Sequence, residues 1–167
     1  FFIYYNITLN PVIFMEFKID SHQEEYLNSI NFMENRVNEI IKGLSNDLIW
    51  FVNYPSIYTF GPQTIESDLK IKDLFPVYET SRGGKLTYHG PGQRTVYLMI
   101  DLNKRTKDIK KFVRKIELVI LKTLSFYNIE GELNNDHHGV FVQKNMRAHK
   151  IASIGLKFKK WTSFHGF

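Results

Sequence analysis

Apolar residues recur along the chain at two spacings, and these spacings divide it into helices and strands. Tyr26, Leu27, Ile30, Met33, Val37, Ile40 and Ile41 fall at helical intervals, which predicts an amphipathic helix packed through one face. Ser21-x-x-Glu24 ahead of them has the form of a capping box, and Gly43 behind them suits a left-handed stop. The helix is therefore expected to open at Ser21 and close at Gly43. A second stripe of Ile109, Phe112, Val113, Ile116, Ile120 and Leu124 predicts a helix over 106–126. Leu48 to Val52 is an apolar run of strand length, and Pro55 to Gly61 reads as a turn followed by a half-buried strand. Pro76 to Thr80 and Thr95 to Ile100 are rich in β-branched and aromatic residues and read as strands. Gly139 to Val142, a turn at Gln143-Lys144-Asn145, and Ala148 to Phe158 read as a hairpin with a long second arm. Residues 69–75 give no clear pattern. Helices and strands alternate irregularly and hairpins are present, so the expected class is α/β or α+β with a mixed sheet.

Composition narrows this only a little. A length of 167 residues suits one domain, and 43% hydrophobic with 23% charged residues is ordinary for a globular chain. The net charge of +5 fits an acidic protein partner. No dense Lys/Arg stripe is interleaved with aromatics, which argues against nucleic acid as the partner. There is no cysteine; that excludes disulfides and thiolate metal sites and fits a cytoplasmic location. The apolar residues 1–14 lack a basic start, a cleavage site and the length to span a bilayer, so no membrane partner is expected. His137 and His138 are adjacent, and neighbours on a strand point to opposite faces. They are read as loop residues, and no metal is expected.

Chemistry concentrates in Arg82-Gly83-Gly84-Lys85-Leu86-Thr87-Tyr88-His89-Gly90-Pro91-Gly92-Gln93. Glycines reach positive φ and let a ligand approach the backbone, while Pro91 stiffens one turn. Arg82, Thr87, Tyr88, His89 and Gln93 add more hydrogen-bonding side chains than a connecting turn requires. The segment reads as a ligand-binding loop held between strands.

This loop closely resembles the signature of the lipoyl (octanoyl) transferases. Three further segments are similar to that family: Pro55 to Gly61 as P-x-x-Y-T-x-G, Lys150-Ile151-Ala152-Ser153-Ile154-Gly155 as K-I-A-x-x-G, and Trp161 to Gly166 as W-x-x-x-H-G. The resemblance covers about Met15 to Phe167. It implies a biotin/lipoate ligase-like catalytic domain over 15–167, with residues 1–14 as an extension outside the family fold. It also implies a reaction without cofactor. Octanoyl passes from octanoyl-acyl carrier protein to a cysteine, and then to a lysine of the lipoyl domains of 2-oxoacid dehydrogenases or the glycine cleavage H protein.

Residue by residue, the resemblance makes Lys150 the activator of the thiolate. Arg82, Gly83, Gly84, Lys85, Leu86, Thr87, Tyr88 and His89 become one wall of the acyl site. Ser153, Ile154 and Gly155 become the facing strand, with Gly166 and Phe167 at the edge. A lysine beside the thiol would favour the nucleophilic thiolate. The family's cysteine follows the His-Gly pair, and this sequence has none. The expectation is a C-terminally truncated domain that forms no acyl-enzyme by itself and leaves sheet edge and apolar surface uncovered around Trp161 and Phe164. Two other readings stay open: an ATP-dependent lipoate or biotin protein ligase, which needs no cysteine, and a non-catalytic module that binds the carrier or the lipoyl domain.

Overall fold

The computed structural model describes residues 14–69, 73–134 and 138–167. Its centre is a five-stranded sheet in the order β1 (Met15–Gln23), β2 (Asp47–Asn53), β6 (Thr95–Met99), β11 (Thr162–Gly166), β10 (Gly155–Lys159). β1 runs parallel to β2, and the other neighbours are antiparallel. One helix, α1 (Tyr26–Ile41), makes the crossover that a parallel pair needs. A second, α2 (Ile109–Phe126), follows β6. This is a mixed α+β fold.

Side-chain alternation along the strands divides the core in two. Trp50 and Val52 of β2, with Tyr97 and Met99 of β6, join Met33, Val37 and Ile40 of α1 in one cluster. Val96 and Leu98 from the opposite face of β6, with Ile100 just after it, join Ile116 and Ile120 of α2 in the other. All five residues of β6 are buried, because both of its faces carry a helix.

Two smaller sheets flank the central one. The first has the order β4 (Val77–Glu79), β3 (Ile57–Phe60), β5 (Thr87–His89). The second has the order β7 (Glu132–Leu133), β8 (Val140–Lys144), β9 (Arg147–Ala152).

The expected strands at 48–52, 76–80 and 95–100 are present, and so is the strand following Pro55. Five expectations are corrected. Ser21 is not a helix cap. It lies in β1, and pairing continues to Glu24, whose N–H donates to the Asn53 carbonyl at 2.9 Å. The helix starts after Glu25, which makes no side-chain cap. The glycine-rich loop contains a strand after all, since β5 pairs with β3 through Thr59↔Thr87.

The long arm Ala148 to Phe158 breaks at Ser153-Ile154. Its first part pairs with β8, while its second joins the central sheet beside β11. Phe164 is 4% exposed rather than uncovered, because β11 is an interior strand between β6 and β10. Trp161 sits at the β10–β11 turn, 40% exposed, with the Lys107 Nζ 5.9 Å from its ring. α2 begins three residues later than expected because Asp108 caps it, its carboxylate accepting from the Lys111 N–H at 2.9 Å.

Of the extension expected over 1–14, only Phe14 falls within the described residues, where it is exposed. His137 lies outside them. No helix among the described residues is long and apolar enough to cross a membrane.

Candidate functional site

The loop after β4 is organised by one buried arginine. Arg82 is 8% exposed, and its Nη2 donates to the Thr59 carbonyl at 2.9 Å, the Thr59 Oγ1 at 2.7 Å and the Lys85 carbonyl at 2.9 Å. Its Nη1 donates to the Gly83 carbonyl at 3.0 Å. Among the described ion pairs none includes Arg82, so its charge is solvated by neutral oxygens, and burial lowers its pKa. The guanidinium thereby staples residues 83–85 into a tight turn against β3.

Two glycine contacts let separate segments meet at this turn. A Cβ on Gly61 would lie 2.1 Å from the Gly84 carbonyl oxygen, and Gly84 itself has φ +96°. On the other side the Gly83 N–H donates to the Leu156 carbonyl at 3.1 Å, and a Cβ on Gly155 would lie 2.9 Å from the Gly83 oxygen. The glycine loop, the end of β3 and the start of β10 therefore pack backbone against backbone.

These elements enclose a cavity of ≈ 940 Å³. Every residue expected at the site lines it except Tyr88: Arg82 to Thr87, His89, Lys150, Ser153 to Gly155, Gly166 and Phe167. Tyr88 points out of the opposite face of β5, because neighbours on a strand alternate. Its ring packs against Tyr58 and Phe75, and its hydroxyl lies 3.0 Å from that of Ser56. Lys150 is exposed at the rim, with its Nζ 5.2 Å from the Phe141 ring centroid. Among the described residues, the lining includes Arg82, Lys85 and Lys150 and no Asp or Glu side chain.

The polar floor of the cavity was only partly legible. His89 places Nε2 3.2 Å from the Thr59 Oγ1 and Nδ1 3.4 Å from the Thr95 Oγ1. Because the Thr59 hydroxyl already accepts from Arg82, we assign its own proton to His89 Nε2, which puts the ring proton on Nδ1. Burial, reinforced by the Arg82 charge, pushes the His89 pKa down to about 4, so the ring is neutral near pH 7.

His165 is 3% exposed, has φ +59°, and is pushed down to about 4 by burial and by the charges of Arg82 and Lys157. Its Nδ1 has no hydrogen-bond partner among the described residues. Beside it, Tyr54 donates to the Tyr97 hydroxyl at 2.9 Å, and burial raises both phenols above their ordinary range.

Tyr26, Thr95, Tyr97 and His165 thus join the site although the sequence reading did not select them. His165 had a signal in W-x-x-x-H-G. The tyrosines had none, because a buried tyrosine and a core aromatic look alike in sequence. Chemically, the site is a pocket with neutral imidazoles and phenols at its floor and cations at its mouth. His138 also lines it, 3.8 Å from the Glu117 carboxylate.

Residues 25–167 match the family described as the lipoyl protein ligase A/B catalytic domain. An octanoyltransferase of Bartonella tribocorum is 40% identical over 166 residues, covering 94% of this chain and 67% of its own length. One from Anaplasma phagocytophilum is 40% identical over 153 residues, covering 91% of this chain and 74% of its own. Among solved structures, P. falciparum LipL1 in complex with lipoate superposes with TM-score 0.64 at 18% identity, over 91% of this chain. That match spans 46% of the LipL1 chain and shows a shared fold.

Proposed function

Since the chain belongs to the lipoyl protein ligase A/B catalytic-domain family, we propose that it is the acyl-binding part of an octanoyltransferase of lipoate biosynthesis. It takes octanoyl from octanoyl-acyl carrier protein for delivery to a lysine of a lipoyl domain, as in 2-oxoacid dehydrogenases and the glycine cleavage H protein. One observation carries this reading. Two segments that the sequence separates by some seventy residues, Arg82-Gly83-Gly84-Lys85 and Ser153-Ile154-Gly155, meet through the Gly83–Leu156 hydrogen bond around one cavity, with Lys150 at its rim. The names of the 40%-identical relatives support the same reading.

In this assignment the acyl chain lies against the glycine turn, where the bare backbone of Gly83 and Gly84 can be approached closely. The floor of neutral imidazoles and phenols suits an uncharged acyl group. Lys150 would stand by the reacting thioester and favour a thiolate nucleophile. These 167 residues contain no cysteine, so acyl binding is assigned to this chain and thioester formation is not.

The test is titration of the protein with octanoyl-acyl carrier protein, with unacylated carrier, and with octanoate plus ATP. Tighter binding of the octanoylated carrier is expected, with no octanoyl-adenylate formed. Adenylate formation would favour the ligase reading instead. Equal affinity for both carrier forms would leave only a carrier-binding module.

A further inference from the structure

We propose that the exposed cationic face of the first half of α2 is the docking surface for the acidic acyl carrier, as distinct from the lipoyl acceptor; this rests on the function proposed above.

Between 107 and 115 stand Lys107, Lys110, Lys111, Arg114 and Lys115 against a single carboxylate, Asp108, and all six are exposed. At about 100° per residue the four on the helix, Lys110, Lys111, Arg114 and Lys115, fall within an arc of roughly 140°, opposite Ile116 and Ile120, which pack on the sheet, while Lys107 precedes the cap. Asp108 is committed to the helix cap, and of the five cations only Arg114 has an acidic partner among the described ion pairs, Glu117 at 3.5 Å. The face is therefore a largely uncompensated positive surface.

Its position ties it to the cavity. Ile109 and Val113, on the same two turns, line the pocket. Lys110 and Arg114 follow them by one residue each, so the cationic row borders the mouth. Lys85 and Lys150 stand exposed on the lining, Lys85 with the Asp68 carboxylate 3.9 Å away, and among the described residues the lining has no Asp or Glu. A partner seated here meets positive charge on α2 and across the opening, and can feed a flexible acylated arm between them. An acidic carrier has the complementary charge.

The placement also runs against the helix's own electrostatics. The first turn of a helix favours acids and disfavours bases, so Lys110 and Lys111 are held where they weaken α2. Both are exposed, and neither has an acidic partner among the described ion pairs. A surface that costs local stability and offers strong charge complementarity is better explained by a partner than by solubility alone.

The experiment compares the wild-type chain with Lys110→Glu/Lys111→Glu, using octanoyl-acyl carrier protein and an isolated lipoyl domain as two separate partners. Reversal is expected to weaken carrier binding about tenfold or more at low salt, and by much less at high salt, where exposed charges are screened. The melting temperature should hold or rise, because acids now occupy the start of the helix. Lipoyl-domain affinity should change by less than about threefold, as expected if the acceptor makes no direct contact with this face.

Carrier affinity that survives reversal would overturn the proposal, and so would an equal loss for both partners. If Lys110→Glu/Lys111→Glu proves unstable, Lys110→Gln/Lys111→Gln carries the same comparison. A wild-type chain that binds neither carrier nor lipoyl domain would overturn the proposed function itself, a result distinguishable from failure of this surface alone.

Discussion

Arg82 and Thr59 lie 23 residues apart in sequence, yet one guanidinium nitrogen takes both the Thr59 hydroxyl, at 2.7 Å, and its carbonyl, at 2.9 Å. The same hydroxyl faces His89 at 3.2 Å. Thr59 is thus the point where the glycine turn and the polar cavity floor are fixed to each other.

Thr59→Val keeps the shape of the side chain and removes that hydroxyl. A buried charged donor loses one of its acceptors, and His89 loses the donor that sets its tautomer. The expected cost is about 1.5–3 kcal/mol of stability, with weaker acyl binding as the turn loosens. Urea unfolding with an unchanged m-value checks the first, and ligand titration the second.

Gly61→Ala should be far more damaging than its size suggests. The new Cβ would sit 2.1 Å from the Gly84 carbonyl oxygen, and backbone cannot swing aside as a side chain can. A loss of at least about 3 kcal/mol is expected, or displacement of the glycine turn with loss of acyl binding. Gly43→Ala is the contrast. Its φ is +73° with open space around it, so only the left-handed penalty of about 1–2 kcal/mol should appear.

Acid should destabilise the protein before its carboxylates titrate. His89 and His165 both have folded pKa values near 4, against 6.5 as the ordinary value. Below pH 6.5 the unfolded chain takes up protons that the folded one refuses, so stability falls as pH drops from 6.5 toward 4. The slope is up to about 1.4 kcal/mol per pH unit for each ring. His165→Gln should flatten the profile by one ring's share. Unfolding free energies at pH 7, 6 and 5 would show it, and an unchanged slope would count against a buried neutral His165.

Lys150 is exposed and its neighbours give it no structural duty beyond the Phe141 ring. Lys150→Met should therefore leave melting and acyl binding by this chain nearly unchanged. In a chimera carrying the cysteine-bearing segment of a relative, the same change should slow acylation roughly tenfold or more at neutral pH, with partial recovery at higher pH as the thiol ionises unaided. An unaltered acylation rate would make Lys150 an ordinary surface lysine.

Without that segment, incubation with octanoyl-acyl carrier protein should yield no octanoyl adduct sensitive to neutral hydroxylamine. Intact mass would detect one.

Much of this molecule is local, and what is local was legible. The stripe on α1, the apolar runs of β2 and β6, and the turn chemistry of Arg82 to Gln93 follow from the preferences of single residues and their near neighbours. So does the likeness of four segments to one family, and with it just over half of the residues lining the cavity. The sequence could not show where the extended segments find partners. β1 carries Phe17 and Ile19 exposed, so no burial pattern marked it, and its pairing with β2 displaced the cap expected at Ser21. Ala148 to Phe158 has one uniform composition but enters two sheets, because β8 claims one part and β11 the other.

The cavity floor depended on tertiary structure in the same way. Thr59, Tyr97, His89 and His165 lie on four strands, and only the folded packing removes water from them, holds both imidazoles neutral and sets Arg82 among neutral oxygens. Residue chemistry is written along the chain, whereas burial and long-range approach are properties of the whole fold. Those two decided which histidines titrate near 4 and why Gly61, Gly83 and Gly155 can carry no side chain without moving a backbone oxygen or its neighbours.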